Sequence, residues 1–279
     1  VEIINTVEEL KQALNSLRKE GKHIGFVPTM GALHQGHMDL ISRAGAECDV
    51  VVASVFVNPT QFNNPSDLKL YPRTPEADAE LLKKFGCDFA FFPSVEEIYP
   101  ENWIVPRVDL GSLDRVMEGQ FRPGHFNGVV QVVSRLFEIV EPHKAFFGLK
   151  DFQQVAVIKR MVSELKMPVQ IVACETLRTE KGLAMSSRNK RLSDEQKEEA
   201  LIIYQTLSRA KRDAQTYSPS ETLKRAKAFF ESGSLKLEYL NIVHPETLED
   251  LEDDWIPGAT MCIACFCGEV RLIDNITLN

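Results

Sequence analysis

The sequence predicts an α/β protein: a Rossmann-like, doubly wound parallel sheet followed by a smaller C-terminal α+β domain. Three observations predict it. Strand-like and helix-like segments alternate across residues 1–176, the pattern of strands joined by crossover helices. Some of those strands are nearly unbroken apolar runs, as expected where helices cover both faces of a parallel sheet. After Thr176 the alternation stops, and a polar, basic stretch gives way to two helical segments and three alternating strands. The predicted domains are therefore 1–176 and 177–279, and the 279-residue length suits two cores.

The elements follow from local pattern. "HIGFVPT" (23–29) reads as a strand ended by Pro28. In the next helix Ile41, Ala44 and Cys48 fall at i, i+3 and i+7. "DVVVASVFV" (49–57) and "DFAFFP" (88–93) read as buried strands, with a helix over 75–86 between them closed by Gly86. Residues 127–140 place Val129, Val132, Val133, Leu136 and Val140 on one side of a helix. "KAFFG" (144–148), a helix over 151–165 and a strand over 168–176 complete the first domain. Helices near 193–214 and 218–232, then strands "LKLEYLNIV", "TMCIACFC" and "EVRLIDNI", make the second.

Composition narrows the function. The net charge is −8 and no long basic block occurs, which argues against a nucleic-acid backbone as partner. A local basic pocket for a small anion stays compatible with an acidic mean. No apolar run approaches the roughly 18 residues of a membrane span. The N-terminal "VEIINTVEELKQAL" is charged and helix-like, unlike a secretory signal. Six scattered cysteines with no sign of export are read as reduced, hence a cytoplasmic protein. "MCIACFC" lacks the second Cys/His pair that a zinc site would need.

Six segments could carry chemistry. In "PTMGALHQGH" (28–37), His34 and His37 lie one helical turn apart where a strand hands over to a helix. Ligands bind at that edge of an open α/β sheet, and helix N-termini attract anions. A phosphate site, a plain polar turn and a metal pair are all compatible with the motif. The metal pair is the weakest, because zinc-protease spacing and its glutamate are missing. "GLKDFQQ" (148–154) puts Lys150 at a similar exit, where it could hold a phosphate as a point charge. Asp151 and Gln154 could instead be a simple capping box. "LRTEKGLAMSSRNKRLS" (177–193) carries five basic residues against Glu180. It offers Ser186, Ser187 and Arg188 as polyphosphate donors, with Gly182 for mobility, or it is a solvated basic linker. "FVNPTQF" (56–62) offers Gln61 for a hydroxyl or carboxylate, or is a bare turn. "YPRTPEAD" (71–78) offers Glu76 and Asp78, the kind of carboxylate that faces polyphosphate through Mg²⁺. "FRPGHF" (121–126) places Arg122 and His125 in a glycine turn. Gathered in one cleft, these segments would form a nucleoside triphosphate site beside a pocket for a small polar acid.

In their order along the chain, "PTMGALHQGH", "FVNPTQF", "YPRT", "RPGHFNGV", "GLKDFQQ" and "MSSRN" resemble the pantothenate synthetase (pantoate–β-alanine ligase) family. The HxGH signature alone resembles only the wider nucleotidylyltransferase superfamily. The match runs from about residue 20 to 193, and the tail follows the family in length and texture. The resemblance implies a Rossmann-like domain with a C-terminal lid, ATP with Mg²⁺, and a homodimer. It implies that pantoate attacks ATP to give pantoyl-adenylate and pyrophosphate, and that β-alanine then displaces AMP. The implied ATP contacts are Met30, Gly31, Ala32, Leu33, His34, Gln35, Gly36 and His37, then Gly148, Leu149, Lys150 and Asp151, then Leu177, Met185, Ser186, Ser187 and Arg188. The implied pantoate contacts are Gln61 and Gln154, the conventional proton donor is His37, and Asp78 is the Mg²⁺ candidate. Two positions depart from the family: Ala77 stands where some members have a second aspartate, and Leu177 where valine is typical. The chemistry expected of such a site is charge stabilisation by His34, His37, Lys150, Ser186, Ser187 and Arg188, with a loop excluding water from the adenylate.

Other classes stay distinguishable. A plain nucleotidylyltransferase would adenylylate a phosphorylated metabolite without an amine. A class I aminoacyl-tRNA synthetase shares HxGH, but the chain is short, acidic and without a lysine-rich second signature. A nucleotide sensor would bind ATP without consuming it.

Overall fold

A computed structural model describes residues 1–63 and 65–279. Among these, six parallel strands form the larger sheet: β1 (Glu2–Ile4), β2 (Ile24–Thr29), β3 (Val50–Val55), β4 (Phe89–Phe91), β5 (Lys144–Gly148) and β6 (Gln170–Cys174). Their spatial order is β1-β4-β3-β2-β5-β6. The chain leaves β2 first toward β3 and later returns on the other side as β5. The crevice between β2 and β5 is thus a topological switch point, where open α/β sheets bind ligands beyond the strand carboxyl ends.

The predicted elements form for the predicted reason. Phe26, Val52, Phe91 and Phe146 are fully buried in the sheet. The His125–Val140 helix buries Val129, Val133, Leu136 and Val140 against it, a stripe at helical spacing. Thr6 starts the Val7–Lys19 helix by accepting the Glu9 N–H at 3.3 Å.

Three local expectations need correction, and one helix is unexpected. The N-terminal segment is not helix throughout: residues 2–4 pair with β4 as an edge strand, too short to show a period in sequence. Pro28 does not end its strand, since β2 keeps register with β3 through Thr29. On its other side the β2–β5 ladder stops at Phe26, and Pro28, with no N–H to give, stands where the crevice opens. The helix expected over 193–214 is broken at Ala200 into Asp194–Glu199 and Leu201–Asp213. The short Met117–Phe121 helix has no counterpart in the sequence pattern; Met117 enters it at φ 43°.

The smaller sheet is antiparallel: β7 (Lys236–Val243), β8 (Thr260–Cys267) and β9 (Val270–Thr277), with β8 central. Val270 and Leu272 of β9 pack into a core with Ile203, Leu207 and Phe230 from the C-terminal helices. The alternate residues Arg271 and Asn275 reach the larger layer, as the period of two requires.

Candidate active site

The HxGH turn is a reciprocal cap made by two histidines. His34 is the N-cap of the Gln35–Glu47 helix. Its ring Nδ1 accepts the Gly36 N–H at 3.1 Å, and the His37 Nδ1 accepts the His34 N–H at 3.3 Å. An Nδ1 that accepts a hydrogen bond carries no proton, so each neutral ring bears its proton on Nε2. The two rings lie 4.1 Å apart. Burial, then Lys150 and Lys190, hold the His34 pKa down at about 4. Burial, His34 and Lys150 hold His37 at about 3. Both imidazoles are therefore uncharged near neutrality and offer Nε2–H donors. A side chain at Gly36 would strike the His34 ring, 2.9 Å from its ideal Cβ position, so the cap needs glycine.

The loop that delivers His34 is held from behind. Gly31 and Ala32 have φ of 79° and 50°. The Ala32 and Leu33 N–H groups donate to the two Asp78 carboxylate oxygens at 3.0 and 2.8 Å, and the Thr74 hydroxyl donates to one of them at 3.2 Å. Asp78 is buried, at 1% exposure. The Mg²⁺ ligand expected at Asp78 does not fit: its oxygens accept three hydrogen bonds, from two amides and a hydroxyl, and it lies buried behind the loop, outside the lining of the cleft. Glu76 is exposed on the same helix. Among the described residues, no group of three or more His, Cys, Asp or Glu side chains is placed to hold a metal ion.

Across the switch point, β5 runs into a single turn, Leu149–Asp151, that carries Lys150. The Lys150 Nζ stands 3.9 Å from Asp151 Oδ1, with its side chain 17% exposed. Asp151 occupies the N-cap of the Phe152–Glu164 helix yet makes no side-chain cap bond. The capping box considered for Asp151 and Gln154 is thus not formed, and both residues line the cleft.

Gln61 anchors the other end. Its Oε1 accepts from Asn58 Nδ2 at 3.1 Å, and its Nε2 lies 2.9 Å from the Met30 sulfur. Asn58 is itself fixed, donating to the Gly128 carbonyl at 3.1 Å and accepting from the Tyr99 hydroxyl at 2.8 Å. The Gln61 backbone carbonyl takes a 2.9 Å bond from His125 Nδ1. A carbonyl only accepts, so His125 carries its proton on Nδ1 and leaves Nε2 as an acceptor. Burial and Arg122 depress its pKa to about 4. The three imidazoles of the cleft are therefore set in opposite tautomers: His34 and His37 donate, and His125 accepts.

The basic segment divides. Leu177, Met185, Ser186, Ser187 and Arg188 line the cleft, and Ser186 Oγ accepts the Arg188 N–H at 3.2 Å. Arg178 instead makes a two-pronged pair with Asp274 at 2.6 and 2.9 Å, over the Tyr204 ring. Lys181 pairs with Glu198. Gly182, expected to give mobility, has a steric role: at φ 101° it packs beneath Tyr204, where a Cβ would lie 2.1 Å from the ring.

Together these walls enclose about 230 Å³. Of the expected site residues, Met30, His34, Gly36, His37, Gln61, Gly148, Lys150, Asp151, Gln154, Leu177, Met185, Ser186, Ser187 and Arg188 line it. Gly31, Ala32, Leu33, Gln35 and Leu149 do not. Ala32 and Leu33 are buried and serve through their amides, while Gln35 is exposed. A second cavity of about 370 Å³ opens between the two sheets and shares Arg122, Lys150, Asp151, Ser186 and Arg188 with the first. Its wall holds a charge network across the layers. The Arg271 guanidinium grips both Glu118 oxygens at 2.9 and 2.6 Å, Arg122 meets Glu118 at 3.3 Å, and the Tyr239 hydroxyl donates to it at 2.8 Å. Burial works to raise the Glu118 pKa, but the Arg271 bonds hold it at about 2.

Sequence reading missed Asn58, Gln153, Glu118 and Asn275. Asn58 had a signal, an Asn-Pro turn three residues before Gln61. Gln153 clamps the preceding loop, accepting the Glu118 N–H and donating to the Leu113 and Val116 carbonyls. Its partners lie 35 or more residues away, so no local pattern could mark it.

Comparison with known proteins identifies the family. Residues 2–277 match the family model described as pantoate-beta-alanine ligase. Pantothenate synthetase of Bacteroides fragilis is 51% identical over 279 residues, 99% of this chain and 98% of that protein. Pantothenate synthetase of Porphyromonas gingivalis is 54% identical over 280 residues, 99% of each. The crystal structure of pantothenate synthetase from Thermus thermophilus superposes with a TM-score of 0.93 at 44% identity, covering 100% of this chain and 99% of that one. That of pantoate-beta-alanine ligase from Francisella tularensis, complexed with beta-gamma ATP and beta-alanine, gives a TM-score of 0.83 at 36% identity, covering 100% and 98%. The cleft at the switch point, its paired histidines and these matches over essentially the whole chain have one reading: the chain belongs to the pantoate-beta-alanine ligase family.

Proposed function

We propose that this protein is an ATP-dependent, AMP-forming ligase that joins pantoate to β-alanine through pantoyl-adenylate. The observation that carries the reading is the opposed tautomers in one cleft. Two Nε2–H donors and the Lys150 ammonium suit a phosphate chain, whereas the His125 Nε2 acceptor and the Gln61 amide suit a small acid bearing hydroxyls. The relative from Francisella tularensis, complexed with beta-gamma ATP and beta-alanine, supports it.

In the first step a pantoate carboxylate oxygen bonds to the α-phosphorus of ATP, and the bond to the pyrophosphate oxygen breaks. His34, His37, Lys150, Ser186, Ser187 and Arg188 stabilise the charge that grows on the non-bridging and leaving oxygens. His37 does so as a neutral hydrogen-bond donor, in keeping with its depressed pKa of about 3. In the second step the β-alanine amine bonds to the pantoyl carbonyl carbon, AMP leaves with the C–O electron pair, and the amine proton passes to solvent. Residues 177–279 act as the lid, with 185–188 screening the mixed anhydride from water. Mg²⁺ is assigned to the nucleotide and not to a protein carboxylate. The protein works in the cytoplasm, a reading supported by the scattered unpaired cysteines, and as a homodimer, a reading supported by the family resemblance alone; no helix among the described residues is long and apolar enough to cross a membrane.

The test supplies ATP, Mg²⁺ and pantoate, with and without β-alanine, and follows AMP and pyrophosphate. Sustained AMP release only with β-alanine is expected. Sustained pyrophosphate release without it, and with no free AMP, would establish a nucleotidylyltransferase instead.

A further inference from the structure

β9 does not line the cleft but bonds to the turn that does. Asn275, 8% exposed, donates from Nδ2 to the Leu149 carbonyl at 2.8 Å and the Lys150 carbonyl at 3.0 Å. Those carbonyls belong to the turn that carries the Lys150 ammonium. That turn has no side-chain cap at Gly148 and none at Asp151. Asn275 is itself fixed, because its N–H donates to Asp274 Oδ1 at 2.8 Å. Asp274 is gripped in turn by Arg178, which begins the segment that ends at Ser186–Arg188. Four residues earlier, on the same face of β9, Arg271 holds Glu118, and Glu118 holds Arg122. One strand of the smaller sheet thus restrains two cations that border the cleft of the larger one.

We infer that Asn275 is a positioning residue, fixing the Lys150 ammonium against a nucleotide phosphate by pinning the backbone of its turn. The inference rests on the ligase reading for the identity of that phosphate. Asn275 touches no reacting atom. Its contribution is orientation, and displacing a charged group by about 1 Å in such a site can lower the rate by about 10²-fold.

The test uses the full chain and four variants: N275A, N275D, K150A and N275A/K150A. N275A is expected to lower kcat/KM for ATP by about 10- to 100-fold while the melting temperature stays close to that of the parent. N275D keeps the shape of the side chain but turns an acceptor toward two carbonyls, so it is expected to lose at least as much. That variant keeps the inference testable if alanine disturbs folding. If Asn275 acts through Lys150, N275A adds nothing in the K150A background, and the coupling equals the whole single-variant loss. Parental kcat/KM in both Asn275 variants, or losses that simply add in the double variant, would overturn the inference. Calorimetric titration with ATP gives a readout independent of the ligase reaction, where N275A and K150A are each expected to weaken binding and the double variant to bind as weakly as K150A alone. Turnover that ignores β-alanine would defeat the ligase reading, while this ATP titration would still judge Asn275.

Discussion

Two imidazole pairs sit at opposite edges of the same sheet, and they have little else in common. At the amino edge, His23 and His143 meet edge-on with ring centroids 4.8 Å apart, both exposed. His23 stands 3.4 Å from the Asp49 carboxylate. The His143 Nδ1 accepts the Ile24 N–H at 3.0 Å. At the carboxyl edge, His34 and His37 are closer, partly sequestered, and bordered by Lys150 and Lys190. Both pairs bond to backbone amides. Burial and the balance of charge separate them: a helix N-terminus with Lys150 and Lys190 outweighing Asp151 on one side, solvent with Asp49 and Arg18 on the other. A histidine pair becomes an anion site through what the fold aims at it, not through its own spacing.

The largest expected effect tests that contrast directly. His37→Ala and His34→Ala are each expected to lower the β-alanine-dependent rate by about 10²- to 10³-fold, the usual effect of removing one donor to developing charge. The steady-state AMP assay reads it, and near-parental turnover in either variant would dissolve the functional distinction between the edges.

Next comes the brace behind the carboxyl-edge pair. Asp78→Asn turns an amide toward two backbone N–H groups, and leaving one of them unsatisfied costs about 1–3 kcal/mol of stability. Chemical denaturation measures this. The Mg²⁺ concentration giving half-maximal rate is expected to be unchanged, because the carboxylate is engaged by the loop amides and the Thr74 hydroxyl. A large shift in that concentration would restore Asp78 as a ligand.

A pH titration sharpens the comparison further. The folded pKa values of His34 and His37, about 4 and about 3, lie below the ordinary 6.5. The unfolded chain therefore takes up protons first as pH falls. The stability contributed by the neutral pair is full above about 6.5 and drains away as pH drops toward the folded values. Imidazole resonances that titrate near 4 and 3 are expected by NMR; titration of either ring above 6 would show that the burial and the neighbouring cations do not act as described.

The smallest effect lies at the amino edge. His23→Ala is expected to change stability by less than about 0.5 kcal/mol, as for exposed sites without a special role, and to leave AMP formation at the parental rate. A loss of rate there would mean that the two edges communicate.

How much of this is legible in sequence depends on distance along the chain. The strand "KAFFG" is readable residue for residue, because burial on both faces leaves an apolar run. The His34–His37 turn is readable as a candidate because its partners lie within three residues. The reciprocal cap that fixes its tautomers is not, since spacing cannot say which ring nitrogen meets which amide. Asp78 reads as a metal ligand because a carboxylate near a phosphate site fits that role; its amide partners, 45 and 46 residues away, decide otherwise. Arg178 reads only as one of five basic residues in its segment, until Asp274, 96 residues on, claims it.

The sequence by itself determined the alternation of strands and helices, the strand-exit position of HxGH and Lys150, and the identity of the donors, because these depend on local periodicity and on side-chain chemistry. Only the tertiary structure decided which imidazoles donate and which accepts, that Asp78 braces a loop, and that β9 reaches back to Lys150 and Arg122. Hydrogen bonds and ion pairs between segments far apart in the chain are set by packing, and packing leaves no period in the sequence.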